Sequence, residues 1–403
     1  MKKALRIAGL TLLSIFVVMV LFVIGYVVKL SVEFYRIDDE TDLTAEIVNH
    51  QEAEIAIGNE YTIVTMNIGF GAYTKEFSFF MDSGVMLDGT AVAGKNSTAK
   101  SKEVVLTNTK GAIDIVSSFT PDFAFFQEVD IESTRSYKVN QLEMIRENFS
   151  EYASSFALNF HSSYLLYPFQ DPHGAVNGGI ATFSKYKITE SMRYKLPIDE
   201  SFPVKFFDLD RCFMITRIPV SGNKELVLIN VHLSAYDKGG VYRQLQLEKL
   251  NTILEVEKNI GNYVIVGGDF NHDIADSLHT FATEQFVPEW VYVFDQDKLT
   301  TGYNFATSNA HPTCRSTDIP YQKDVNYTVV IDGFIISDNI EEISVENVVM
   351  VNGEDATIKR VIKMDDGVIL QPESSNSAHL PLLFRRSDDF KIIGKVMHVK
   401  FKV

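Results

Sequence analysis

Residues 263–271 read YVIVGGDFN, an apolar run followed by two glycines and the polar pair Asp269 and Asn271. Apolar side chains on consecutive positions are typical of a strand that is buried on both faces. Asp269 and Asn271 are two positions apart, so both side chains project to the same side of an extended chain. The stretch therefore predicts a central strand that places two polar groups at the rim of a sheet, where ligand sites gather.

Other apolar runs of the chain also carry a polar residue at one end. They are IVTMN with Asn67, FAFFQE with Gln127 and Glu128, LVLINVH with His232, VVID with Asp332 and SAHLP with His379. Asn67 and Glu128 supply hard oxygen ligands, which Mg²⁺ prefers together with waters and phosphate oxygens. The histidines and the remaining carboxylates suit general acid–base chemistry on a phosphoester.

From residue 61 onward, short apolar runs alternate with longer helical patterns, which predicts one large α/β domain. The strand candidates are residues 61–68, 122–127, 178–184, 212–218, 226–231, 263–266, 329–337 and 380–384, and the helix candidates are residues 102–119, 140–150 and 241–259. Residues 211–219 and 224–232 flank a short turn, as in a hairpin, so we expect a mixed or antiparallel sheet. Dinucleotide-binding glycine patterns are missing from the sequence, which disfavours a doubly wound Rossmann sheet.

Composition and charge narrow the function classes. The chain has 403 residues, of which 46% are hydrophobic and 22% charged, and this excludes disordered, collagenous and coiled-coil proteins. The formal net charge of −16 disfavours nucleic acid as a partner, although acidic nucleases that recruit divalent cations keep that class open. Two cysteines, Cys212 and Cys314, argue against a disulfide scaffold or a Cys-based zinc site and leave a single bridge undecided.

The first thirty residues are expected to lie outside the folded domain. An uncharged run over residues 7–28 follows three basic residues and ends at Lys29. As a helix it rises about 33 Å, enough for a hydrocarbon core of about 30 Å, and it is longer than the apolar region of a cleaved signal peptide. Positive residues stay cytoplasmic. We therefore predict a cytoplasmic N-terminus and transmembrane anchor over residues 1–30, an acidic linker over 31–60, and an extracytoplasmic catalytic domain over 61–403.

Seven motifs follow one another between residues 65 and 381: TMNIG, FFQEVD, NGGIATFSK, NVHLSA, GGDFNHD, VIDGFIIS and SAHLP. This ordered series resembles the endonuclease/exonuclease/phosphatase superfamily, which includes deoxyribonucleases and neutral sphingomyelinases. The resemblance implies an α/β fold, a four-layer α-β-β-α sandwich of two mixed sheets. It also implies hydrolysis of a phosphoester that depends on Mg²⁺, with Mn²⁺ or Ca²⁺ as alternatives.

The resemblance further implies roles for individual residues. Glu128 matches the metal-binding glutamate of the superfamily, and Asn67 matches the asparagine beside it. Asp269 matches the aspartate that orients or deprotonates the attacking water. Asn271 matches its partner, which holds phosphate and transition-state oxygens.

The C-terminal motifs of the resemblance contain one departure. His232 matches a proton donor or phosphate clamp, His379 matches the C-terminal histidine, and Asp332 matches the aspartate that hydrogen-bonds it. Either Asp269 or His379 would take the proton of the water. The superfamily pattern is Ser-Asp-His-Xaa-Pro, but Ala378 stands where the aspartate belongs. Loss of this carboxylate is expected to weaken metal binding or misplace His379, while the other motifs favour an active hydrolase.

Five further residues are weaker candidates for substrate contacts: Asn177, Arg211, Arg135, Tyr137 and Arg315. The alternative for Arg211 is a salt bridge within the protein. The stretch STRSYKVNQ, which contains Arg135 and Tyr137, is either a substrate-shaping loop or a helix N-terminus that packs its tyrosine.

The sequence thus predicts a membrane-anchored, extracytoplasmic hydrolase of phosphodiester or phosphomonoester bonds. An anchor at the membrane favours a phospholipid or sphingomyelin-type substrate. The alternatives are an extracellular nuclease and an inactive relative that binds a phosphoryl ligand, for which Ala378 would be the signature.

Restoring the missing carboxylate tests the hypothesis that Ala378 weakens the metal site. We expect Ala378→Asp to raise metal-dependent turnover, because an additional carboxylate strengthens the binding of a hard cation. Turnover against Mg²⁺ concentration is the measurement. An unchanged rate would mean that the carboxylate is dispensable in this chain.

Overall fold

The computed structural model of the protein describes residues 2–235, 237, 240–351, 355–357, 360–364, 367–371, 382–385 and 390–402. Its helices in these ranges are α1 (Lys2–Glu33), α2 (Lys102–Ser118), α3 (Gln141–Asn148) and α4 (Val241–Ile260). The strands of the first half are β1 (Thr41–Asp42), β2 (Glu60–Asn67), β3 (Ser83–Val85), β4 (Ala91–Ala93), β5 (Phe123–Asp130), β6 (Ala153–Leu165), β7 (Gly174–Ser184) and β8 (Glu190–Lys195). They are followed by β9 (Cys212–Val220), β10 (Lys224–His232), β11 (Tyr263–Asp269), β12 (Tyr303–Ala306), β13 (Cys314–Arg315), β14 (Thr328–Val329) and β15 (Asp332–Ser337). The last strands are β16 (Ile340–Val351), β17 (Asp355–Thr357), β18 (Arg360–Met364), β19 (Gly367–Gln371), β20 (Leu382–Arg385) and β21 (Phe390–Phe401).

Two seven-stranded sheets form the body of the domain. The first sheet has the order β1-β8-β9-β10-β11-β15-β12, and the second has the order β17-β16-β21-β2-β5-β7-β6. Each sheet contains one parallel pair, β10 with β11 in the first and β2 with β5 in the second, and the other neighbours are antiparallel. The prediction of mixed sheets is confirmed.

Four layers result because both faces of each sheet are apolar. Ile63 and Phe125 of the second sheet pack against Ile265 and Phe334 of the first, and these side chains are buried. Leu250 on α4 covers the outer face of the first sheet, in a cluster with strand residues of β10 and β11. Helices α2 and α3 cover the second sheet in the same way, where their apolar side chains pack on β2 and β5. The predicted α-β-β-α sandwich is confirmed.

The predicted elements differ from the structure where strands are not continuously apolar. The apolar pattern predicts one strand over residues 329–337, but the structure divides this stretch into the short β14 and then β15, which begins at Asp332. The sequence patterns also missed β6, which reads ASSFALNFHSSYL and mixes polar with apolar residues. This strand forms an edge of the second sheet, so one side of it tolerates polar groups.

Residues 31–60, predicted as a linker, lie against the domain along part of their length. Thr41 pairs with Arg193 of β8, and Ile55 forms a bridge with Val220 at the end of β9. Leu43 and Ile55 are buried. Val48 also forms a bridge with Ser154 of β6, so this acidic segment contacts both sheets.

Helix α1 carries the apolar N-terminal run. It is the helix in the described residues that is long and apolar enough to cross a membrane, with a mean hydropathy of 2.9 over its best window. The side chains of residues 3–25 are exposed, whereas Leu30 near its end is buried against the domain. The helix thus leaves its apolar surface uncovered by protein along most of its length.

Two glycines at the end of β11 permit close backbone packing. A Cβ atom on Gly267 would lie 2.6 Å from the ring of Phe334, which packs in the core between the sheets. Gly268 has a φ of +143°, and a Cβ atom there would overlap the carbonyl oxygen of Val231 on β10. Only glycine therefore lets β11 deliver Asp269 in register with β10.

We predict that Gly268→Ala lowers the free energy of unfolding by about 2–3 kcal/mol, because the added methyl group overlaps a backbone atom that cannot move freely. The matched control is Gly111→Ala within α2, where nothing lies within 4 Å of the added atom. That change should raise stability by about 0.5–1 kcal/mol, since glycine weakens a helix interior. Urea denaturation of both variants is the measurement, and equal effects would contradict the packing argument.

Candidate active site

The register of the strands brings the polar strand ends to one place. Asn67 is the Cα partner of Gln127 in the second sheet, and Asp269 is the partner of both His232 and Asp332 in the first. Glu128 follows Gln127. Six of the polar residues that the motifs single out line one large cleft of about 2210 Å³: Asn67, Glu128, His232, Asp269, Asn271 and Asp332.

Asn67 links the two sheets at this cleft. Its Nδ2 atom donates to Oε1 of Glu128 at 3.0 Å and to Oδ2 of Asp269 at 2.9 Å. Its Oδ1 atom accepts from the backbone N–H of Gly69 at 2.9 Å, which fixes the orientation of the amide. One amide group therefore holds two carboxylates, which come from different sheets, within hydrogen-bonding distance of the same nitrogen.

Glu128 reaches the cleft because β5 bulges. The pairing of β5 with β7 shifts register between Phe126 and Val129, so residues 127 and 128 depart from the regular ladder. Glu128 has a φ of +54°, in the left-handed region that side chains other than glycine seldom adopt. A bulge of this kind re-aims a side chain, and here it points the carboxylate towards Asn67.

Asp269 is buried and held by two donors. Its Oδ1 atom accepts from the backbone N–H of Asn271 at 2.8 Å, while Oδ2 accepts from Asn67. Burial, together with the nearby charge of Glu128, raises the pKa of Asp269 to about 6, against the lowering effect of these bonds. Asn271, which has a φ of +49°, donates from its Nδ2 atom to the carbonyl of Leu233 at 2.8 Å and so ties this turn to the end of β10.

Asp332 lies directly opposite Asp269 on the neighbouring strand. Its Oδ1 atom is buried and has no hydrogen-bond partner among the described residues. Burial raises the pKa of Asp332 well above its usual range, and the charge of Asp269 adds to this effect. Its predicted partner His379, like Ala378, lies outside the described residues.

His232 is a neutral imidazole in this setting. Burial lowers the pKa of His232 well below its usual range, and the positive charges of Arg211 and Arg135 lower it further. Its Nε2 atom lies 3.8 Å from Oδ2 of Asp269, beyond hydrogen-bonding distance. Its Nδ1 atom is buried with no hydrogen-bond partner in the described part of the chain.

The three arginines predicted as substrate contacts, Arg135, Arg211 and Arg315, all line the cleft. Arg135 forms two hydrogen bonds with the carboxylate of Asp130, at 3.0 and 2.9 Å, and its guanidinium lies 4.1 Å from the ring centre of Phe70. Arg315 donates to four backbone carbonyls of two loops, at 3.0–3.3 Å. Arg211 is buried, and its charge acts on both His232 and Asp269.

Asn177 and Tyr137 are not among the residues that line the cleft. The backbone N–H of Asn177 donates to Oγ of Ser133, and Asn177 pairs with His161 across β6 and β7. Tyr137 is 42% exposed, and its hydroxyl donates to the carbonyl of Lys100. The helix expected after this stretch begins at Gln141, and Asn140 caps it by accepting from the N–H of Glu143.

The sequence motifs missed Lys395, a fully buried residue of β21. Its Nζ atom donates to the carbonyl of Ser308 at 2.8 Å, and its charge lowers the pKa of Asp332. Burial lowers the pKa of Lys395 to about 8, against the opposing effect of Asp332. A lysine within the otherwise apolar run IIGKVM was the signal available in the sequence.

The two cysteines are separate free thiols, so Cys212 and Cys314 do not form the bridge that the sequence left undecided.

The sequence profile described as "Endonuclease/Exonuclease/phosphatase family" matches residues 105–318, slightly more than half of the chain. This chain belongs to the endonuclease/exonuclease/phosphatase family. Members of the family are metal-dependent phosphoesterases, typically with a divalent cation. Glu128, His232, Asp269 and Asn271 all fall within the matched residues.

Several solved structures are similar to this chain. An endonuclease/exonuclease/phosphatase from Beutenbergia cavernae is 14% identical, with a TM-score of 0.49, and the match covers 85% of this chain and 72% of that one. A family protein from Leptotrichia buccalis is 14% identical, with a TM-score of 0.48 and coverage of 85% and 100%. Truncated TDP2 from Caenorhabditis elegans is 13% identical, with a TM-score of 0.44 and coverage of 85% and 97%. No curated protein matches this chain in sequence.

The site fits the divalent cation that the family uses. No group of three or more His, Cys, Asp and Glu side chains that could hold an ion by themselves occurs in the described residues. Mg²⁺ does not need such a cage, because it is held by one or two carboxylates and keeps several waters. Glu128 offers a half-buried carboxylate in the lining of the cleft, and Asp332 carries a buried oxygen without a partner among the described residues. A nearby cation would also reduce the repulsion between the carboxylates of Asp269 and Asp332, which lie opposite each other on adjacent strands.

The geometry of Arg135 yields a stability prediction. We expect Arg135→Met to lower the free energy of unfolding by about 3–5 kcal/mol, because it leaves the buried carboxylate of Asp130 without its partner. The double variant Arg135→Met with Asp130→Asn should lose clearly less than the two single losses added together. Lys187→Met, which breaks an exposed ion pair with Glu52, is the control and should cost less than about 1 kcal/mol. A loss for Arg135→Met as small as that of the control would contradict the structural role.

Proposed function

We propose that this protein is a membrane-anchored hydrolase that cleaves phosphodiester or phosphomonoester bonds outside the cytoplasm with the help of Mg²⁺. A lipid headgroup is the proposed substrate class. The observation that carries the proposal is the Asn67 amide, which joins the carboxylates of Glu128 and Asp269 within the cleft. Three carboxylates and a neutral histidine converge there, a set suited to phosphoester hydrolysis.

Glu128 and Asn67 are the residues we assign to holding the cation. The carboxylate of Glu128 is the principal ligand, and Asn67 keeps it aligned with Asp269. When bound, a divalent cation lowers the pKa of a coordinated water and neutralises charge that develops on the phosphate. The strained left-handed conformation of Glu128 is consistent with this role, because strained backbone is retained where a side chain must be aimed.

The remaining groups divide the proton transfers between them. Asp269, which is held by Asn67 and by the N–H of Asn271, is placed to accept the proton of an attacking water. His232 is neutral, so it suits donating an N–H to a phosphate oxygen better than acting as a permanent cation. We retain His379 as the partner of Asp332, whose buried oxygen requires a donor.

The membrane assignment rests on α1. Its exposed apolar surface suits the bilayer, and the basic residues Lys2, Lys3 and Arg6 precede it, which favours a cytoplasmic N-terminus. Tyr26, Lys29 and Leu30 contact the folded domain, which supports an anchor that stays attached. A net charge of −16 counts against nucleic acid as the substrate.

We expect the full chain, purified in detergent or nanodiscs, to hydrolyse bis-p-nitrophenyl phosphate, to lose activity with EDTA and to regain it with Mg²⁺. Asp269→Asn should lower kcat about 100-fold or more, because it removes the proton acceptor. Glu128→Gln should instead raise the Mg²⁺ concentration needed for half-maximal rate, because it removes a charged ligand. Release of p-nitrophenol against Mg²⁺ concentration measures both effects.

Asp276→Asn and Glu151→Gln are matched controls, since both are exposed and neither lines the cleft. Their rates and metal requirements should equal those of the unaltered chain. The same preparation should then be offered a lipid phosphodiester in vesicles, p-nitrophenyl phosphate and single-stranded DNA. Cleavage of DNA alone would overturn the lipid assignment in favour of a nuclease, and metal-dependent binding without any cleavage would favour a phosphoryl-ligand binding protein.

A further inference from the structure

The last turns of α1 are fixed to the domain by specific contacts. The hydroxyl of Tyr26 donates to the carbonyl of Tyr164 at 3.0 Å and accepts from the N–H of Leu166 at 3.0 Å. Lys29 donates from Nζ to Oγ of Ser163 at 3.2 Å. Leu30 is buried in a cluster with Leu165 at the end of β6 and Phe206. The helix therefore meets the domain at one defined place.

These contacts fix where the domain lies along the axis of α1, relative to the end of its apolar run. The uncharged run ends at Val28, and Tyr26 lies three residues before Lys29, about 4.5 Å down the helix axis at 1.5 Å per residue. The backbone of Tyr164 and Leu166 bonds directly to Tyr26. It must therefore lie level with the last turn of the apolar run, where hydrocarbon gives way to headgroups when α1 spans a bilayer.

The two segments at this level expose large apolar side chains. Residues 164–169 and 202–207 lie beside the helix, the second through Phe206, which packs in one cluster with Leu30 of α1. Their exposed side chains, which we term the apolar platform, are Tyr164 (40% exposed), Tyr167 (57%), Phe169 (77%), Phe202 (65%), Val204 (40%) and Phe207 (39%). Exposed apolar groups in one patch mark an interaction site, and aromatic rings in particular favour the membrane interface.

The same two segments also border the cleft. Leu165, Tyr167, Val204 and Phe207 are among the residues that line it, together with Glu128 and Asp269. A surface that enters the headgroup layer would thus share residues with the wall of the active site. A substrate embedded in the leaflet could pass from the platform into the cleft without crossing bulk water.

We propose that the apolar platform rests in the membrane interface beside α1 and turns the mouth of the cleft towards the bilayer, so that the site takes its phosphoester from a membrane lipid. This inference rests on the proposed function and names its substrate source. The bilayer is the occupant favoured over a protein partner, because α1 itself fixes where the membrane surface lies. No additional contact is needed to bring the platform there.

The first test measures depth and does not depend on activity. The chain has a single tryptophan, Trp290, so a Trp290→Phe background allows one reporter at a time. Phe169→Trp and Phe202→Trp report from the platform. Ile260→Trp is the control, because Ile260 is 52% exposed and lies next to Lys224, at the opposite end of β10 from His232.

The full-length variants are placed in vesicles of phosphatidylcholine with brominated acyl chains. Compared with vesicles of the same lipid without bromine, we expect the fluorescence of the tryptophans at 169 and 202 to fall about twofold or more. The fluorescence of the control tryptophan at 260 should be the same in both kinds of vesicle. If bromine quenches the tryptophans at all three positions to the same extent, in protein that sediments with the vesicles, the proposal is overturned. Protein that fails to sediment would overturn the anchor and the platform together.

The second test separates the platform from the chemistry. Phe169 and Phe202 do not line the cleft, so the double variant Phe169→Ser with Phe202→Ser should hydrolyse bis-p-nitrophenyl phosphate at the unaltered rate. Its rate on a lipid phosphodiester in vesicles should fall about 10-fold, because less apolar surface holds the cleft at the interface. Ile260→Ser should change neither rate.

An undiminished rate of lipid hydrolysis in the double variant would refute the platform while leaving the hydrolase intact. If the unaltered chain cleaves neither substrate, the proposed function fails, and the quenching result still decides whether the platform lies in the membrane.

Discussion

A hydrogen bond between two buried amides positions the two sheets at the edge that carries the site. Nε2 of Gln127, on β5, donates to Oδ1 of Asn230, on β10, at 2.8 Å, and Nδ2 of Asn230 donates to the carbonyl of Ala181 on β7 at 2.9 Å. Gln127 precedes Glu128 by one residue, and Asn230 precedes His232 by two. Apolar packing alone tolerates sliding of one sheet over another, whereas buried polar groups must find their partners. The meeting of Glu128 with Asp269 across Asn67 therefore depends on this link.

Backbone strain and charge repulsion at the site lower the stability of the fold, and the packing of the surrounding core offsets this loss. Glu128 holds a left-handed conformation, which costs on the order of 1–3 kcal/mol for a residue other than glycine. Asp269 and Asp332 face each other on adjacent strands, and burial makes their mutual repulsion worse. Such an arrangement persists because the strands that carry it are buried on both faces and cannot relax. Strain and repulsion concentrated at one cleft are what a bound cation and a bound phosphoester would relieve.

Much of the fold could be predicted from the sequence because its central strands are apolar on consecutive positions and end in polar residues. That pattern placed Asn67 and Asp269 where strands end and Asp332 early in a strand, and the register brings Asp269 and Asp332 opposite each other. It could not locate β6, whose polar residues suit an edge, nor Lys395, whose burial depends on packing between distant strands. The pattern also could not show whether Arg135 contacts substrate or pairs with Asp130, because the answer depends on the conformation of the loop that carries Arg135.

The position of the cleft relative to α1 is set by strands rather than by the length of chain that joins them. Tyr26 bonds to the end of β6, β6 pairs with β7 from Ala153 to Leu165, and β7 pairs with β5 on both sides of Glu128. Three hydrogen-bonded strands thus connect the helix to the proposed metal ligand. Neighbouring strands in a sheet resist rotation, so tilting the helix would require tilting the site with it. Residues 31–60, which the sequence predicts as a linker, add further contacts with the domain, among them the bridge of Val48 with Ser154 of β6. Under the proposed anchoring by α1, the distance between the bilayer and the proposed active site would follow from backbone hydrogen bonds, which a flexible linker could not provide.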